Sequence, residues 1–412
     1  MASEKKKVLI IGGGFGGLFT ALDLAGEAEI TLVSDSDYFT FRPLLYEYFS
    51  GEVEAWHIAP DYKELVDDKI NFVRGAVENV DFENQKVSVS TRDQPLDYDA
   101  LVLAVGGVTN FWNVTGAEEN ALPFRGIPDA DNLRNRMTRV LDEISPTLTS
   151  PDADEKLTFA VVGGGASGVE LATKMADLLN DAFKSRGLPG KPQVMLVEMS
   201  DRLVPGMGEG LRAYVGKALL KSHVAVHLQT KVLEVKADCI VSEYDGKVSE
   251  TKTAATVWTA GVKVSPLIEM LDLPKDESGL VLVNQTMQVK DYPNVFALGD
   301  IAKVEEVVPT LIGTAQLANQ ESDLAAKNIR AFLSGKELQT KAFKELGEAL
   351  SLGTRNAAVL VAGNVVGGSL ARDARFALYT ARLPTWHHRL KVGASWFFEG
   401  TTPRPLQPLS FS

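Results

Sequence analysis

A chain of 412 residues exceeds what one hydrophobic core organises, so two or three domains are expected. Its 45% hydrophobic and 23% charged residues exclude a disordered chain and a collagen. The balance of 42 Lys and Arg against 54 Asp and Glu, a formal charge of −12, argues against a general nucleic-acid binder. The single cysteine, Cys239, excludes an intramolecular disulfide, a Cys-rich metal site and a dithiol redox pair.

The run from Met1 to Lys7 is too short for a signal peptide and leads straight into a strand at Val8–Ile11. No stretch of 18 apolar residues occurs, so no spanning helix is expected. Short apolar runs then alternate with helical patterns, the mark of an α/β protein with parallel sheets. Glu29–Val33 reads as the second strand, Leu101–Val105 as a later buried one, and Asp129–Ile144 as a connecting helix. The pattern restarts with a strand at Leu157–Val162 and a helix at Ala166–Phe183. In that helix Val169, Ala172, Met175, Ala176, Leu179 and Phe183 recur at spacings of three and four. A strand at Gln193–Glu198 follows, and a further helix begins near Thr314. The expected organisation is a first domain built from 1–150 and 271–340, a second at 151–270, and a smaller C-terminal region at 341–412.

Three motifs carry chemistry. Gly12-Gly-Gly14-Phe15-Gly-Gly17 follows the first strand and opens a helix, where glycine permits a sharp turn and close approach to a pyrophosphate. The helix N-terminus adds N–H donors and partial positive charge. Ser34 or Asp35 stands where a ribose ligand is expected, at the end of the next strand. The pattern recurs in Gly163-Gly-Gly165-Ala-Ser-Gly168, with Glu198 ending the following strand. A carboxylate there suits ribose hydroxyls and disfavours a 2′-phosphate, pointing to NADH, while nearby Arg202 keeps NADPH open. The third motif is Val295-Phe-Ala-Leu-Gly299-Asp300, where glycine allows close approach and aspartate reaches a sugar-like hydroxyl.

In this order the motifs resemble those of two-dinucleotide-binding-domain flavoproteins. Strands ending at Gly106 and Gly261 resemble the connecting strands of that superfamily. The resemblance implies two Rossmann-like domains, with FAD in the first and NADH or NADPH in the second. Phe39–Ser50 lacks the cysteine that disulfide reductases of this superfamily require. Thr314-Ala315-Gln316-Leu-Ala-Asn-Gln320 resembles the alanine–glutamine helix of type II NAD(P)H:quinone oxidoreductases, and Gln316 and Gln320, four apart, share one face. Within that family the resemblance extends over nearly the whole chain to the demethylphylloquinone reductases of cyanobacteria and plastids. It is carried by Ser50–Pro60, Leu346–Gly353 and Arg382–Phe397. It implies hydride transfer from NAD(P)H to FAD and two-electron reduction of a quinone such as demethylphylloquinone, without proton pumping. Glu170 is then a proton donor or relay, Gln316 and Gln320 quinone ligands, and Arg42 and Pro43 FAD contacts. Reduction of a small electron-transfer protein and redox sensing are the alternatives.

The C-terminal region is expected to associate with a membrane surface, peripherally, on the cytoplasmic side or at a thylakoid or plastid membrane. A helix from Leu370 puts Leu370, Ala374, Ala377, Leu378 and Ala381 on one stripe, and Phe376, Tyr379, Leu383 and Arg372 on another. The second stripe is expected to meet headgroups while the first packs on the body. Residues 369–404 hold six Lys or Arg and two Asp or Glu, a local excess of +4 that favours an anionic surface. Forming a homodimer interface or covering the core are the other uses for these stripes. No metal site is expected.

Overall fold

The computed structural model describes residues 5–144, 157–305, 313–344, 347–361 and 363–407. The expected boundary between 150 and 151, Leu346 and the first four residues lie outside them. The chain divides into two compact units. Unit 1 comprises Met1–Thr40, Ala59–Val108 and Val262–Leu346, and unit 2 comprises Phe41–Ile58, Thr109–Gly261 and Gly347–Ser412.

Unit 1 is built on an eight-stranded sheet. Within it Lys7–Ile11 pairs in parallel with Glu29–Ser34 on one side and Ala100–Leu103 on the other. Ala100–Leu103 is buried at every position, as a strand covered on both faces must be. Tyr292–Ala297 adds beside it in parallel, so the strand carrying the Gly-Asp motif joins the first sheet despite nearly 200 intervening residues. Two helices lie together in this unit. Phe15–Leu24 follows the first glycine cluster, and Ala315–Leu333 packs along it.

Unit 2 holds a five-stranded parallel sheet in the order Ala225–His227, Gln193–Val197, Thr158–Val162, Ala255–Trp258, Ala121–Pro123. Thr158–Val162 is wholly buried and leads into the helix Ala166–Arg186. The strand order reverses between Thr158–Val162 and Ala255–Trp258, which sets a ligand crevice outside their carboxyl ends. The connecting helix runs Ile127–Glu143, and its Asp129 accepts from the Gly126 amide at 3.0 Å to close the N-terminus. Near the chain's end a three-stranded antiparallel sheet, Ala349–Ser351, Ala357–Val361 and Asn364–Gly368, precedes the helices Ser369–Thr380 and Trp386–Glu399.

This division departs from the expected one. Residues 41–58 and 109–144 belong to unit 2, and the C-terminal region is part of that unit instead of a third domain. The reason lies in contacts between segments far apart in sequence. Phe49 meets Phe124 edge to face at 5.7 Å. The fully buried Arg134 donates to the carbonyls of Phe49 at 2.7 Å and Gln407 at 2.7 Å. No helix of the described residues is long and apolar enough to cross a membrane.

Candidate active site

In unit 1 the glycine cluster forms a cradle that only glycine permits. Gly12 has φ of +104°, and a Cβ there would stand 2.3 Å from the Ala104 carbonyl oxygen. Gly17 packs against the Gly12 carbonyl, where a Cβ would come within 1.8 Å. Gly14 faces open space and caps Phe15–Leu24 without any side-chain partner, so the helix keeps N–H donors for an anion. Phe15, the first residue of that helix, stacks on Phe19 at 5.9 Å and meets Phe39 edge-on at 5.2 Å. The Tyr62 hydroxyl donates to the Gly13 carbonyl at 2.7 Å and fixes the loop. At the end of the second strand Ser34 is buried and its Oγ accepts from the Ser36 amide at 3.3 Å, while Asp35 is exposed. Gly106, with φ of +66°, opens onto free space at the end of Ala100–Leu103.

Gly299 and Asp300 form a single helical turn after Tyr292–Ala297. Sequence reasoning overlooked the residue that sets this turn. Glu321, buried on Ala315–Leu333, accepts from the Gly299 amide at 2.6 Å. Burial pushes its carboxyl up to about 7, against the pull of that hydrogen bond and with help from the Asp300 charge. Its signal was present in sequence: an acid five residues after Gln316 on a face of alanines. Ala315 is the first residue of the helix, and Thr314 caps it by accepting from the Leu317 amide at 3.1 Å. Gln316 and Gln320 share the helix face, but the Gln320 amide is committed. It donates to the Lys344 carbonyl at 2.8 Å and accepts from the Lys344 amide at 3.0 Å.

The cradle repeats in unit 2. Gly163 has φ of +112° with Ala260 against its empty side, Gly168 sits on the Gly163 carbonyl, and Gly165 faces open space. Glu198 accepts from the Gly164 amide at 2.5 Å and, through its other oxygen, from the Ser200 amide at 2.8 Å. The Ser200 hydroxyl donates to that same oxygen at 2.7 Å, so of a carboxylate's about four acceptor positions one is left for a ribose hydroxyl. The loop is held further by Val204, whose amide donates to the Gly164 carbonyl at 2.8 Å from a φ of +40°. Arg202 makes a two-pronged pair with Asp201, at 2.7 and 2.9 Å. Gly261 follows Ala255–Trp258 with φ of +93°.

Glu170 is not the surface acid that a first helical turn favours. It is buried, and it anchors an ionic cluster inside unit 2. Its Oε1 accepts from Arg375 at 3.0 Å and from the Ser351 amide at 2.7 Å. Arg375 also donates to Glu47 at 2.6 Å and to the Pro43 carbonyl at 2.7 Å, and its guanidinium lies 4.7 Å from the Tyr379 ring centre. Lys174 pairs with Glu47 at 3.4 Å and with Glu52, which in turn holds Arg372 at 2.9 Å. Three carboxylates thus face three cations, all buried except the partly exposed Arg372, an arrangement whose breakage leaves a charge stranded. Burial drives Glu170 up, Arg375 pulls it back and Glu47 adds to the rise, leaving it at about 7. Glu47 also suffers burial, but Arg375 and Lys174 together hold it below the usual carboxylate range. Of the two residues expected to touch FAD, Arg42 is exposed and Pro43 offers its carbonyl to Arg375. Tyr46 is core, stacked on Phe124 at 5.5 Å.

The C-terminal expectation is inverted. Phe376 and Leu383 are buried and Tyr379 packs on Arg375, whereas Leu370 is 73% exposed and Leu378 is exposed as well. Arginine decides this, because Arg372 and Arg375 must face the carboxylates of the cluster and carry their helix face inward. Half of the six basic residues are already paired with acids: Arg372 and Arg375 with the buried Glu52 and Glu47, and Arg404 with Glu54 at the surface. Trp386, Leu390, Phe397 and Phe398 project outward from the last helix, the two phenylalanines more than 80% exposed. Cys239 is buried in a strand, and the described residues contain no cluster able to hold a metal.

Two glycine cradles, each at the carboxyl ends of parallel strands, define a protein that binds two dinucleotides. Residues 6–322 match the model of the pyridine nucleotide-disulphide oxidoreductase family, and the chain belongs to it. It is 35% identical to the demethylphylloquinone reductase NdbB of Synechocystis, over 96% of both chains. It is 32% identical to the alternative NAD(P)H-ubiquinone oxidoreductase C1 of Arabidopsis thaliana, over 96% of this chain and 81% of the relative. The fold is that of NDH2 from Plasmodium falciparum, solved in complex with NADH, with a TM-score of 0.85 over 96% of this chain and 99% of that one at 19% identity.

Proposed function

We propose that this chain is an FAD-dependent NAD(P)H:quinone oxidoreductase that works on a membrane surface and reduces a naphthoquinone. The observation that carries this reading is the pair of separate glycine cradles in a chain whose only thiol is buried, which leaves no route for a dithiol. FAD, when bound, supplies the step from two-electron hydride acceptance to quinone reduction; the protein binds, orients and manages protons. The Gly12–Gly17 cradle and the bare N-terminus of Phe15–Leu24 bind the FAD pyrophosphate, Asp300 binds its ribityl chain, and Asp35, exposed where Ser34 is turned inward, binds its ribose. Glu321 holds the Gly299–Asp300 turn in place.

The second cradle takes NADH. Glu198 receives the adenine ribose, and Arg202 is paired with Asp201. Glu170 holds a proton near neutral pH and delivers it in the quinone half-reaction, with Arg375 steadying the carboxylate left behind. Gln316 is the quinone ligand of the amide pair, and Gln320 braces the helix through Lys344. Leu370, Leu378, Trp386, Leu390, Phe397 and Phe398 enter the headgroup region, an anchoring that rests on apolar burial more than on basic charge. The naphthoquinone assignment is supported by the likeness to the demethylphylloquinone reductase of Synechocystis.

The test is steady-state oxidation of NADH and NADPH by FAD-loaded protein against naphthoquinones and benzoquinones, paired with flotation on liposomes. The expected outcome is turnover with naphthoquinones, NADH preferred, and flotation with the lipid. Protein that binds no FAD, or that turns over no quinone, overturns the reading. Protein that dimerises and ignores liposomes overturns the anchoring alone.

A further inference from the structure

Within unit 2 the short loop Asn110–Val114 is stitched to the carboxyl end of Ala255–Trp258. The Asn110 amide donates to the Gly261 carbonyl at 3.2 Å, and the Trp258 indole donates to the Asn110 carbonyl at 2.8 Å. The indole N–H groups of Trp112 and Trp258 both donate to the Ala260 carbonyl, each at 3.0 Å. Trp112 and Asn113 both take φ of +53°, a left-handed conformation rare for any side chain and an outlier for a bulky one. Yet Trp112 leaves 64% of its surface exposed. A strained backbone that presents a large aromatic face to solvent is doubly unfavourable, and such sites are where function is sought.

The location narrows the ligand. The adenine ribose belongs at Glu198, at the end of Gln193–Val197, and the pyrophosphate at the Gly163–Gly168 cradle. The remaining half of a dinucleotide then extends across the sheet's switch point toward the end of Ala255–Trp258. Trp112 stands there, its indole nitrogen 2.5 Å from where a Cβ on Gly261 would be. Gly261 therefore admits the indole to this edge of the crevice.

We propose that Trp112 is a positioning residue for the nicotinamide end of the nucleotide, which packs against the exposed indole. The inference rests on the second cradle being the nicotinamide-nucleotide site. Oxidised nicotinamide is a pyridinium cation, and the tryptophan face is the strongest aromatic partner for a cation, so the indole favours NAD⁺ over an analogue lacking the ring.

The test is calorimetric titration of FAD-loaded protein with NAD⁺ and with ADP-ribose, which carries every part of the dinucleotide except nicotinamide. For Trp112→Ala we expect NAD⁺ affinity to fall about five- to tenfold and ADP-ribose affinity to stay within about twofold, with Trp112→Phe recovering most of the NAD⁺ loss. Equal weakening of both ligands shows a merely structural loop and overturns the proposal, as does NAD⁺ affinity unchanged in Trp112→Ala. Wild-type protein that binds neither ligand overturns the nucleotide site itself, a failure separate from that of Trp112.

Discussion

Two buried carboxyls, Glu170 and Glu321, are both raised to about 7, yet their surroundings give them different work. Glu170 faces Arg375, a cation able to stabilise the charged form, so its proton can leave and return. We expect Glu170→Gln to leave flavin reduction by NADH within about twofold of wild type and to slow reoxidation by quinone at least tenfold, on the scale of a lost general acid. Stopped-flow traces of the two half-reactions check this, and the opposite pattern removes Glu170 from the quinone side. Glu321 has no cation beside it among its named partners, only the Gly299 amide. Its folded pKa lies above the unfolded value, so the native state binds the extra proton and is favoured below about 4.5. That advantage is lost as pH rises through about 7. Glu321→Gln keeps an acceptor for Gly299 and removes the titration. Its gain in stability over wild type is expected to grow between pH 5 and pH 8 by at most about 3 kcal/mol, measured by denaturant unfolding with saturating FAD. A gain independent of pH would show that the carboxyl carries no such penalty.

At the scale of elements, the last two helices show arginine overruling an amphipathic pattern. The face with Phe376 is inward because Arg372 and Arg375 must reach Glu52, Glu47 and Glu170. On the final helix Phe397 and Phe398 are exposed, and Phe397→Ser with Phe398→Ser should leave the thermal midpoint within about 2 °C while lowering liposome binding at least tenfold. A matching loss of stability would place these side chains in a core. The inner face of the same helix is fastened by His57. The Glu54 amide donates to His57 Nδ1 at 2.8 Å, and His57 Nε2 meets Ser395 Oγ at 3.1 Å, which donates to Glu399 at 3.0 Å. Burial holds His57 down at about 4, with Glu54 opposing and His388 and Arg404 assisting. A depressed folded value means that stability is present above about 6.5 and is lost as pH falls toward 4. Thermal melts from pH 7 to pH 5 should show that loss, on the order of 2 kcal/mol, and His57→Gln should flatten it. An unchanged slope in the variant would assign the acid sensitivity elsewhere.

For the whole molecule, the family name carries a disulphide that this chain cannot make. Cys239 is buried on a strand of unit 2, and burial pushes its thiol up, away from reactivity. Cys239→Ala should keep NADH:quinone turnover within about twofold, and alkylating reagents should leave the native enzyme's rate unchanged. Loss of activity on either treatment would end the thiol-free mechanism.

The sequence alone determined what depends on neighbours along the chain. Both cradles, their strands and their helices could be read from glycine spacing and apolar periodicity, because a turn between strand and helix is a local event. The thiol-free chemistry followed from counting one cysteine. Only the tertiary structure decided which far-apart segments share a unit, that Gln320 is held by Lys344, and which face of the C-terminal helices is outside. The first and last of these turn on buried groups finding partners far along the chain, such as Arg375 with Glu47, 328 residues away, and with Glu170, 205 residues away. No periodicity records such pairings, since a charge shows in the sequence as polar whether it meets water or an opposite charge in the core.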